Sequence, residues 1–308
     1  MKQKKLTLIC PNKSLFSINT LNFLKKKFKC KIDDLSQSEF DKLAHKFQIV
    51  LTRFNLNLQY SKKSNIRYIL TPTTGLNHID KKILSSTRVK VFNLIDKSFL
   101  KKVNATIEHT IFLIINILKK RSNKIKFGFK SNYKDYIVEE LNNKTVGIIG
   151  LGRIGSKVGR ICRAFGANVI FYDKFLINKS NRKFEYVIKK SDIISFHVPL
   201  NKSTYRYYNH KKLKHIKKNA IIINTSRGEI FNENDLIRLG KEKELRFGLD
   251  VLANENGISR KNSKLLNFLQ KSSRNIVTPH VGGLSKESIE ITDNHVISNF
   301  LKYLNEHK

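Results

Sequence analysis

The sequence predicts an α/β protein built on parallel sheets with helices packed against them. Short apolar runs of strand length alternate with helical segments along most of the 308 residues, a pattern typical of βαβ units. A glycine-rich turn joins one such strand directly to a helix. Polar and charged residues collect where several predicted strands end, and this is the sheet edge at which open α/β proteins bind ligands.

The length and composition fit a globular protein of one large or two medium-sized domains. The longest apolar run, 111–118, falls short of the ~18 residues that a bilayer-spanning helix needs. The basic N-terminus has too short an apolar stretch for a signal peptide. Cys10, Cys30 and Cys162 form no disulfide or metal-ligand pattern. We therefore expect a cytoplasmic protein with no metal site and no membrane partner.

The chain is strongly basic, with 60 Lys and Arg against 24 Asp and Glu and a formal net charge of +36. Such an excess occurs in proteins that bind nucleic acid or anionic membranes. Here the lysines are spread along the whole chain among many Asn and Ile residues, without a basic tail or a repeated basic motif. This distribution favours a compositional bias over a specific nucleic-acid site, and a positive surface would attract small anionic substrates in either case.

Residues 1–98 contain short strands and helices in alternation, which indicates a small parallel α/β unit. Strands are predicted at 6–10, 48–51, 67–70 and 90–95, and a helix at 18–28. After the third strand, the segment TPTTGLNHID turns at proline and glycine, and a helix is predicted from Asn77. The amides of Thr74, Gly75 and Leu76 could form an anion-binding nest for a substrate carboxylate. The alternative is an ordinary strand–turn–helix connection with His78 as a structural or surface histidine.

Residues 105–118 predict a mostly buried helix that crosses between two domains, and 120–144 predict a polar surface connection. Glu108 and His109 lie near the start of this helix. They could serve catalysis. The alternative is that they cap or pin the helix, since the helix dipole favours an acid near the N-terminus.

The stretch TVGIIGLGRIGSKVGRICRAFGANVIFYD at 145–173 is the clearest motif in the chain. An apolar run at 146–149 predicts a buried strand, the helical spacing of apolar residues over 154–165 predicts an amphipathic helix ending at Gly166, and 168–172 predicts a second strand. This strand–turn–helix–strand order is the context in which a glycine-rich turn binds a dinucleotide.

Gly150, Gly152 and Gly155 form the pattern G-x-G-x-x-G between the first strand and the helix. The first glycine permits a tight turn, the second lets a pyrophosphate approach the backbone, and the third lets helix and strand pack closely. Free N–H groups at the helix N-terminus then attract the phosphate charge. A P-loop is excluded because Ser156, not lysine, follows the last glycine.

Asp173 ends the second strand 18 residues after the last glycine, close to the spacing of a ribose-binding acid. A carboxylate at this position accepts hydrogen bonds from the ribose diol and repels a 2′-phosphate. The motif therefore predicts NAD as the cofactor in preference to NADP.

The alternation of strands and helices continues to the end of the chain. Further strands are predicted at 192–198, 220–223, 247–251 and 276–279, and helices at 210–218, 233–243 and 285–303. His197, Arg227, Asp250, Glu255 and His280 lie at or after the ends of these strands, so they are expected at one edge of the sheet. This concentration is the strongest indication of an enzyme in the sequence.

These residues suit hydride transfer between a nicotinamide and a small acid. His280 is the candidate for proton exchange near neutral pH, with Glu255 holding its other ring nitrogen. Arg227 could bind a carboxylate with its planar fork and polarise the adjacent carbonyl, and Asp250 would lie by the nicotinamide. Each residue alone has a structural alternative, as a loop histidine, a surface ion pair or a solvated acid. Their joint placement after the dinucleotide motif favours the catalytic interpretation.

The motifs together resemble the D-isomer-specific 2-hydroxyacid dehydrogenases, which include phosphoglycerate, glycerate/hydroxypyruvate and D-lactate dehydrogenases. The resemblance covers nearly the whole chain and places the catalytic Arg, Glu and His of the family on Arg227, Glu255 and His280. The matching segments are TGLNHID at 74–80, ATIEHT at 105–110, VGIIGLGRIG at 146–155, HVPL at 197–200, NTSRGEI at 224–230, LDV at 249–251 with Glu255, and TPHVGG at 278–283.

The resemblance implies a Rossmann-type NAD-binding domain at 99–283 and a smaller, discontinuous flavodoxin-like substrate domain at 1–98 and 284–308. It also implies a homodimer formed through the NAD domains, and hinge closure over the substrate. Two departures concern local loop geometry: Asn256 replaces the usual proline after the catalytic acid, and the tryptophan common before the cofactor domain is absent, since the chain has no Trp.

The full set of expected site residues follows from the motifs and this resemblance. Cofactor contacts are expected from Gly150, Gly152, Arg153, Ile154, Gly155, Asp173, His197, Val198, Pro199, Thr204, Thr225, Ser226, Asp250, Gly282 and Gly283. Substrate contacts are expected from Thr74, Gly75, Leu76 and Arg227.

The sequence thus predicts an NAD-dependent enzyme that interconverts a small D-2-hydroxy acid and its 2-keto acid. Candidate substrates are 3-phosphoglycerate and glycerate/hydroxypyruvate. The alternative is a catalytically weak NAD(H)-sensing protein on the same fold, regulatory or associated with nucleic acid. The presence of all three catalytic residue types argues against that alternative, and no specific nucleic-acid partner is expected.

Overall fold

The computed structural model describes residues 5–53, 56–119, 137–176, 181–255 and 263–307. The chain forms two compact units, one of Met1–Asn104 with Leu284–Lys308 and one of Ala105–Gly283. Among the described residues, no helix is long and apolar enough to cross a membrane. Most of the predicted surface connection, 120–136, lies outside the described residues, as does Asn256.

The first unit is built on a five-stranded parallel sheet. Its strands are β1 (Thr7–Cys10), β2 (Lys29–Ile32), β3 (Ile49–Leu51), β4 (Tyr68–Leu70) and β5 (Lys90–Phe92), in the spatial order β2-β1-β3-β4-β5. Its helices are α1 (Ile18–Lys27), α2 (Gln37–Leu43), α3 (Lys81–Leu84), α4 (Lys97–Leu100) and the C-terminal helix α11 (Lys286–Glu306).

Helices cover both faces of this sheet. Neighbouring strand residues belong to different hydrophobic clusters because they point to opposite faces. Leu8 and Cys10 pack with α1 and α11, whereas Ile9 packs with Phe40 of α2. Phe300 of α11 is fully buried, so the last helix completes a core that the first strand begins.

The second unit is built on a six-stranded parallel sheet. Its strands are β6 (Thr145–Ile149), β7 (Asn168–Tyr172), β8 (Ile193–Phe196), β9 (Ile221–Asn224), β10 (Arg246–Leu249) and β11 (Ile276–Val277), in the spatial order β11-β10-β9-β8-β6-β7. Its helices are α5 (Ala105–Lys119), α6 (Arg153–Ala164), α7 (Phe184–Lys190), α8 (His210–Leu213), α9 (Glu233–Glu242) and α10 (Lys264–Gln270).

The order of the strands determines where this unit can bind a ligand. β6 lies between β7 and β8, so the chain leaves β6 toward one side of the sheet and later returns on the other. Ile148 packs with α5 and α6 on one face, and Ile149 packs with α7, α9 and α10 on the opposite face. A crevice opens at the carboxyl end of β6, where the order of the strands reverses.

Most predicted strands and helices are confirmed, with ends that shift by a few residues. The helix predicted from Asn77 is wrong: α3 begins at Lys81, because Ile79 bridges to Leu58 and the Asp80 carboxylate then caps the helix. The helix predicted at 210–218 ends at Leu213. The patterns did not predict β2, α2, α4, α7 or α10, which are short. β2 alternates between exposed and half-buried residues at the edge of its sheet.

Candidate active site

The glycine-rich turn after β6 has the geometry of a phosphate-binding loop. Gly150 adopts φ +94°, which a side chain would strain. A Cβ on Gly155 would lie 2.1 Å from the Gly150 carbonyl oxygen, so α6 packs directly against the turn. A Cβ on Gly152 would meet nothing within 4 Å, and this residue begins α6 without a side-chain cap. The N-terminus of the helix therefore presents bare backbone to open space, as a pyrophosphate requires.

Asp173 is fixed beside this loop at the end of β7. One carboxylate oxygen accepts the Leu151 amide at 2.8 Å and the other accepts the Phe175 amide at 2.9 Å. The Asp173 amide in turn donates to the Asn181 side chain at 2.9 Å. The acid is thus oriented by backbone groups and retains lone pairs for a ribose diol.

A cavity of about 220 Å³ joins Asp173 to the glycine loop and to the segment after β8. It brings together seven predicted cofactor residues: Gly150, Gly152, Asp173, His197, Val198, Pro199 and Thr204. Sequence reasoning missed its aromatic walls, Tyr172, Phe175, Tyr207 and Tyr208. The tyrosine-rich run TYRYY at 204–208 is the signal that could have indicated Tyr207 and Tyr208. Flat apolar walls beside a fixed carboxylate suit an adenosine group.

His197 lies at the edge of this cavity as a neutral ring. Burial lowers the pKa of His197 to about 3, and its Nε2 pairs with the Ser195 hydroxyl at 2.9 Å. Its main chain also approaches the glycine loop, because a Cβ on Gly150 would lie 2.7 Å from the His197 carbonyl oxygen. Neutral His197 can shape the cavity but offers no positive charge to a phosphate.

Asp250, at the end of β10, is the centre of a buried hydrogen-bond network. Its Oδ1 accepts the Thr278 hydroxyl at 2.6 Å and the Val281 amide at 2.9 Å, and its Oδ2 accepts the Gly282 amide at 2.8 Å. Nε2 of His109 lies 3.3 Å from Oδ1. Burial alone would raise the pKa of Asp250, yet the hydrogen bonds from His109, Thr278 and the Gly282 amide hold it below its usual value.

This network also holds the side chain of His109. The histidine also pairs with the Thr278 hydroxyl at 2.9 Å, so it pins α5 to the loop after β11. A Cβ on Gly282 would lie 2.7 Å from the Asp250 carboxylate, which explains the glycine there, whereas Gly283 has open space around it. The sequence alternative in which His109 pins its helix agrees with these contacts.

His280 and Glu255 form a close pair at the same sheet edge. Nδ1 of His280 lies 2.5 Å from Oε2 of Glu255, and the two side chains are 16% and 13% exposed. The other carboxylate oxygen accepts the Leu252 amide at 2.5 Å. His280 adopts φ +57°, and its amide donates to the Asp250 carbonyl at 2.8 Å. Glu255 therefore holds the imidazole ring of His280, and the Asp250 carbonyl at the end of β10 holds its backbone.

Arg227 lies three residues beyond β9. Asn224 shapes this turn, since its side chain donates to the Arg227 carbonyl and accepts the Ser226 amide, both at 2.9 Å. A Cβ on Gly228 would lie 2.0 Å from the Leu252 carbonyl carbon, so the turns after β9 and β10 are packed against each other. This close packing brings Arg227 to the turn that carries Glu255.

The guanidinium of Arg227 is half-buried and donates few hydrogen bonds. Burial lowers its pKa, although the carboxylates of Glu229 and Glu255 act in the opposite direction. Among the described residues, its one acceptor is the Ser226 carbonyl, 2.6 Å from Nη1. Four of the five N–H donors of an arginine side chain thus have no described protein acceptor, so they could bind an anion.

Other predicted cofactor residues have structural partners. Thr225 is buried, and its hydroxyl pairs with Thr110 of α5 at 2.9 Å. The Ser226 hydroxyl donates to Asn224 at 2.7 Å. Arg153 and Ile154 lie in the first turn of α6, both half-buried.

Two acidic residues that sequence reasoning missed support the turn carrying Glu255. Glu233 accepts the Ala253 amide at 2.9 Å, and Glu229 accepts the Asn254 amide at 3.2 Å. Burial raises the pKa of Glu233. Glu229 belongs to the segment NTSRGEI, but neither residue has a local pattern that predicts this contact.

In the first unit, the loop after β4 has the unpaired amides that an anion-binding nest requires. Thr73 closes the loop by donating its hydroxyl to the Gly75 carbonyl at 2.8 Å. The amides of Thr74, Gly75 and Leu76 donate to no acceptor among the described residues. His78 is buried, with Nε2 3.1 Å from the Thr71 hydroxyl, and this contact gives it a structural role.

Comparison with known proteins agrees with this arrangement. Residues 111–282 match the family model described as D-isomer specific 2-hydroxyacid dehydrogenase, NAD binding domain. Erythronate-4-phosphate dehydrogenase of Wigglesworthia glossinidia brevipalpis is 34% identical over 248 residues, which cover 78% of this chain and 58% of that one. D-3-phosphoglycerate dehydrogenase of Bacillus subtilis is 31% identical over 258 residues, 79% of this chain and 47% of that one. The chain thus spans about half the length of these curated relatives.

Solved structures show the same fold over nearly the full chain. D-lactate dehydrogenase of Lactobacillus jensenii with NAD+ is 27% identical, with a TM-score of 0.71 and coverage of 98% of this chain and 97% of that one. The pyruvate reductase of Chlamydomonas reinhardtii, 21% identical with a TM-score of 0.81 and the same coverage, shares the fold. Since the family model spans more than half of the chain, the protein belongs to the D-isomer specific 2-hydroxyacid dehydrogenases, and its second unit carries their NAD-binding domain.

Proposed function

We propose that this protein is an NAD-dependent dehydrogenase that interconverts a small D-2-hydroxy acid and its 2-keto acid. The observation that carries the proposal is the His280–Glu255 pair at 2.5 Å, placed with Arg227 at the carboxyl edge of the NAD-binding sheet. A histidine oriented by a carboxylate is suited to exchange a proton with a hydroxyl. NAD supplies or accepts the hydride when bound.

His280 acts as the acid in the reducing direction. Its Nδ1 faces Glu255, so the proton given to the keto oxygen comes from Nε2. Glu255 fixes the orientation of the ring and stabilises its protonated form before transfer. In the oxidising direction, neutral His280 takes the hydroxyl proton and Glu255 stabilises the resulting imidazolium.

Arg227 binds and polarises the substrate. Donors without a described protein acceptor, on a planar and half-buried guanidinium, can hold a carboxylate and its neighbouring carbonyl oxygen together. Charge that builds on that oxygen as hydride arrives at the carbon is then stabilised by a fixed positive group. In the first unit, the unpaired backbone N–H groups of Thr74, Gly75 and Leu76 suit a carboxylate as well.

The proposal takes the first unit as the substrate domain of the family and the second as its NAD-binding domain. It includes 3-phosphoglycerate or glycerate/hydroxypyruvate as substrates, which the names of the relatives and the net charge of +36 support. It also includes a homodimer, as the family resemblance implies, and a cytoplasmic location, which agrees with three free thiols. Light scattering on the purified protein and cell fractionation test the last two points.

The test of the activity is NADH oxidation against a panel of 2-keto acids, with NADPH in parallel. The panel is glyoxylate, hydroxypyruvate, phosphohydroxypyruvate, pyruvate and 2-ketoglutarate. Turnover of at least one member with NADH is expected. No turnover across the panel, together with tight NADH binding and DNA binding that weakens steeply with salt, would instead favour the NAD-sensing alternative.

A further inference from the structure

A buried ion pair in the first unit lies directly behind the loop that carries the unpaired amides. Arg53 follows β3 and is 3% exposed, and Asp293 of α11 is fully buried. Nη2 of Arg53 lies 2.6 Å from Oδ1 of Asp293. The other oxygen of Asp293 accepts the Ser17 amide at 3.2 Å. Since charges are seldom buried without a function or a full set of partners, this pair requires an explanation.

Arg53 also donates to the Thr292 hydroxyl at 3.4 Å, but a different contact points to that explanation. Its Nη1 donates to the carbonyl of Pro72 at 3.0 Å. Proline has no N–H, so this carbonyl is the one backbone hydrogen-bonding group that Pro72 offers. The ion pair therefore fixes the main chain two residues before Thr74.

The chain beyond Pro72 is tied to the sheet by few bonds. The Thr73 amide donates to the Thr71 carbonyl at 2.7 Å, and the Leu94 amide donates to the Thr73 carbonyl at 3.1 Å. After Thr73, three successive amides have no acceptor in the described chain. A nest of this kind binds an anion only if its N–H groups already converge, so its direction depends on the anchored residues before it.

We propose that Arg53 and Asp293 are positioning residues, which hold the Pro72 carbonyl so that the amides of Thr74, Gly75 and Leu76 converge on the substrate carboxylate. This inference deepens the proposed function and rests on it for the identity of the anion. Arg53 acts here through Pro72, not by touching the substrate.

The experiment compares Arg53→Lys and Asp293→Asn with a control, Val296→Ala. Lysine keeps the charge but cannot hold Asp293 and the Pro72 carbonyl with one planar fork. Val296 is a fully buried residue one turn further along α11, and its truncation weakens the same core without removing a bond to the loop. Thermal midpoints, NADH dissociation constants and steady-state constants for two keto acids are measured for each protein.

Both ion-pair variants are expected to raise KM at least tenfold for pyruvate and phosphohydroxypyruvate alike, with kcat within threefold and NADH affinity within twofold of wild type. The control should leave KM within twofold at a similar loss of thermal midpoint. If KM increases in proportion to the loss of thermal midpoint in all three variants, the ion pair is purely structural and the proposal is overturned. A loss confined to phosphohydroxypyruvate would overturn it in favour of direct contact between Arg53 and the substrate.

Hydrogen exchange separates this inference from the proposed function. The Leu94 amide reports the position of Thr73, and the Thr71 amide, bonded to the Phe92 carbonyl at 2.9 Å, reports the sheet. If the Leu94 amide exchanges at least tenfold faster in Arg53→Lys while the Thr71 amide is unchanged, the result supports the anchoring of Pro72 by the ion pair. This holds even if no keto acid is turned over. Unchanged exchange at the Leu94 amide refutes the anchoring of Pro72 by the ion pair, whether or not the enzyme is active.

Discussion

Replacing Asp250 by asparagine tests whether one buried carboxylate holds the loop that carries His280. The carboxylate accepts three bonds from the segment after β11, at Thr278, Val281 and Gly282. An amide of the same shape can keep the two bonds at Oδ1. Its NH2 group would then face the Gly282 amide, so a buried donor would lose its acceptor.

The magnitude follows from that loss. A buried donor without an acceptor costs about 1–3 kcal/mol, and bonds to a charged acceptor are roughly twice as strong as neutral ones. We expect a loss of about 2–3 kcal/mol. For a unit of this size, each kcal/mol lowers Tm by about 2–4 °C, so the midpoint of the second unit should fall by about 4–12 °C at pH 7.

The pH dependence has a defined sign. The pKa of Asp250 is held below its usual value, so the charged carboxylate stabilises the fold above the ordinary aspartate pKa of about 3.9, and this contribution is lost as pH falls through the lower folded pKa. The difference in Tm between wild type and Asp250→Asn should therefore be constant from neutral pH to about pH 4 and shrink below it.

Calorimetric melting of both proteins from pH 7 to pH 3 provides the measurement. Glu244→Gln is the control, because its ion pair with Lys218 is exposed and such pairs contribute little. If Asp250→Asn melts within about 1 °C of wild type, as the control should, the carboxylate does not hold the loop and the reasoning fails.

Four further substitutions address the cofactor and the chemistry. Gly155→Ala should lower Tm, since its Cβ would lie 2.1 Å from the Gly150 carbonyl and overpacking costs about 1–3 kcal/mol, whereas Gly152→Ala should leave Tm unchanged yet weaken NADH binding in a fluorescence titration. His280→Asn, which tolerates a positive φ, should lower kcat by about 10²–10⁴ with NADH affinity intact; normal turnover would contradict the acid–base role. Asp173→Asn should raise the NADPH-to-NADH ratio of kcat/KM by about tenfold, and an unchanged ratio would show that the carboxylate does not select the cofactor.

The parts of the site that depend on local sequence could be predicted. Gly150, Gly152 and Gly155 are close in sequence, and their spacing is typical of one turn geometry. The glycine-rich loop and Asp173 could therefore be predicted directly. Arg227 and His280 could be expected at one edge of the sheet because each follows a strand, and parallel strands bring their carboxyl ends to one edge.

The parts that depend on distant contacts could not be predicted. His109 meets Asp250 through the packing of α5 against the far strands, and Glu233 meets Ala253 across two turns. The bonds of Arg53 to Pro72 and Asp293 join β3, β4 and the last helix. No periodicity or spacing in the sequence predicts these contacts, because only the folded chain brings the partners together.

The phosphate-binding turn described above consists of main-chain groups and a missing side chain. Gly152 presents open space and α6 begins there without a side-chain cap, so the contact needs no particular neighbour to supply charge. A lineage whose surface residues drift toward lysine can therefore keep this site intact, provided that the glycines survive. Because the cofactor is recognised by backbone groups, the surface around the site can change in sequence while the site itself stays the same.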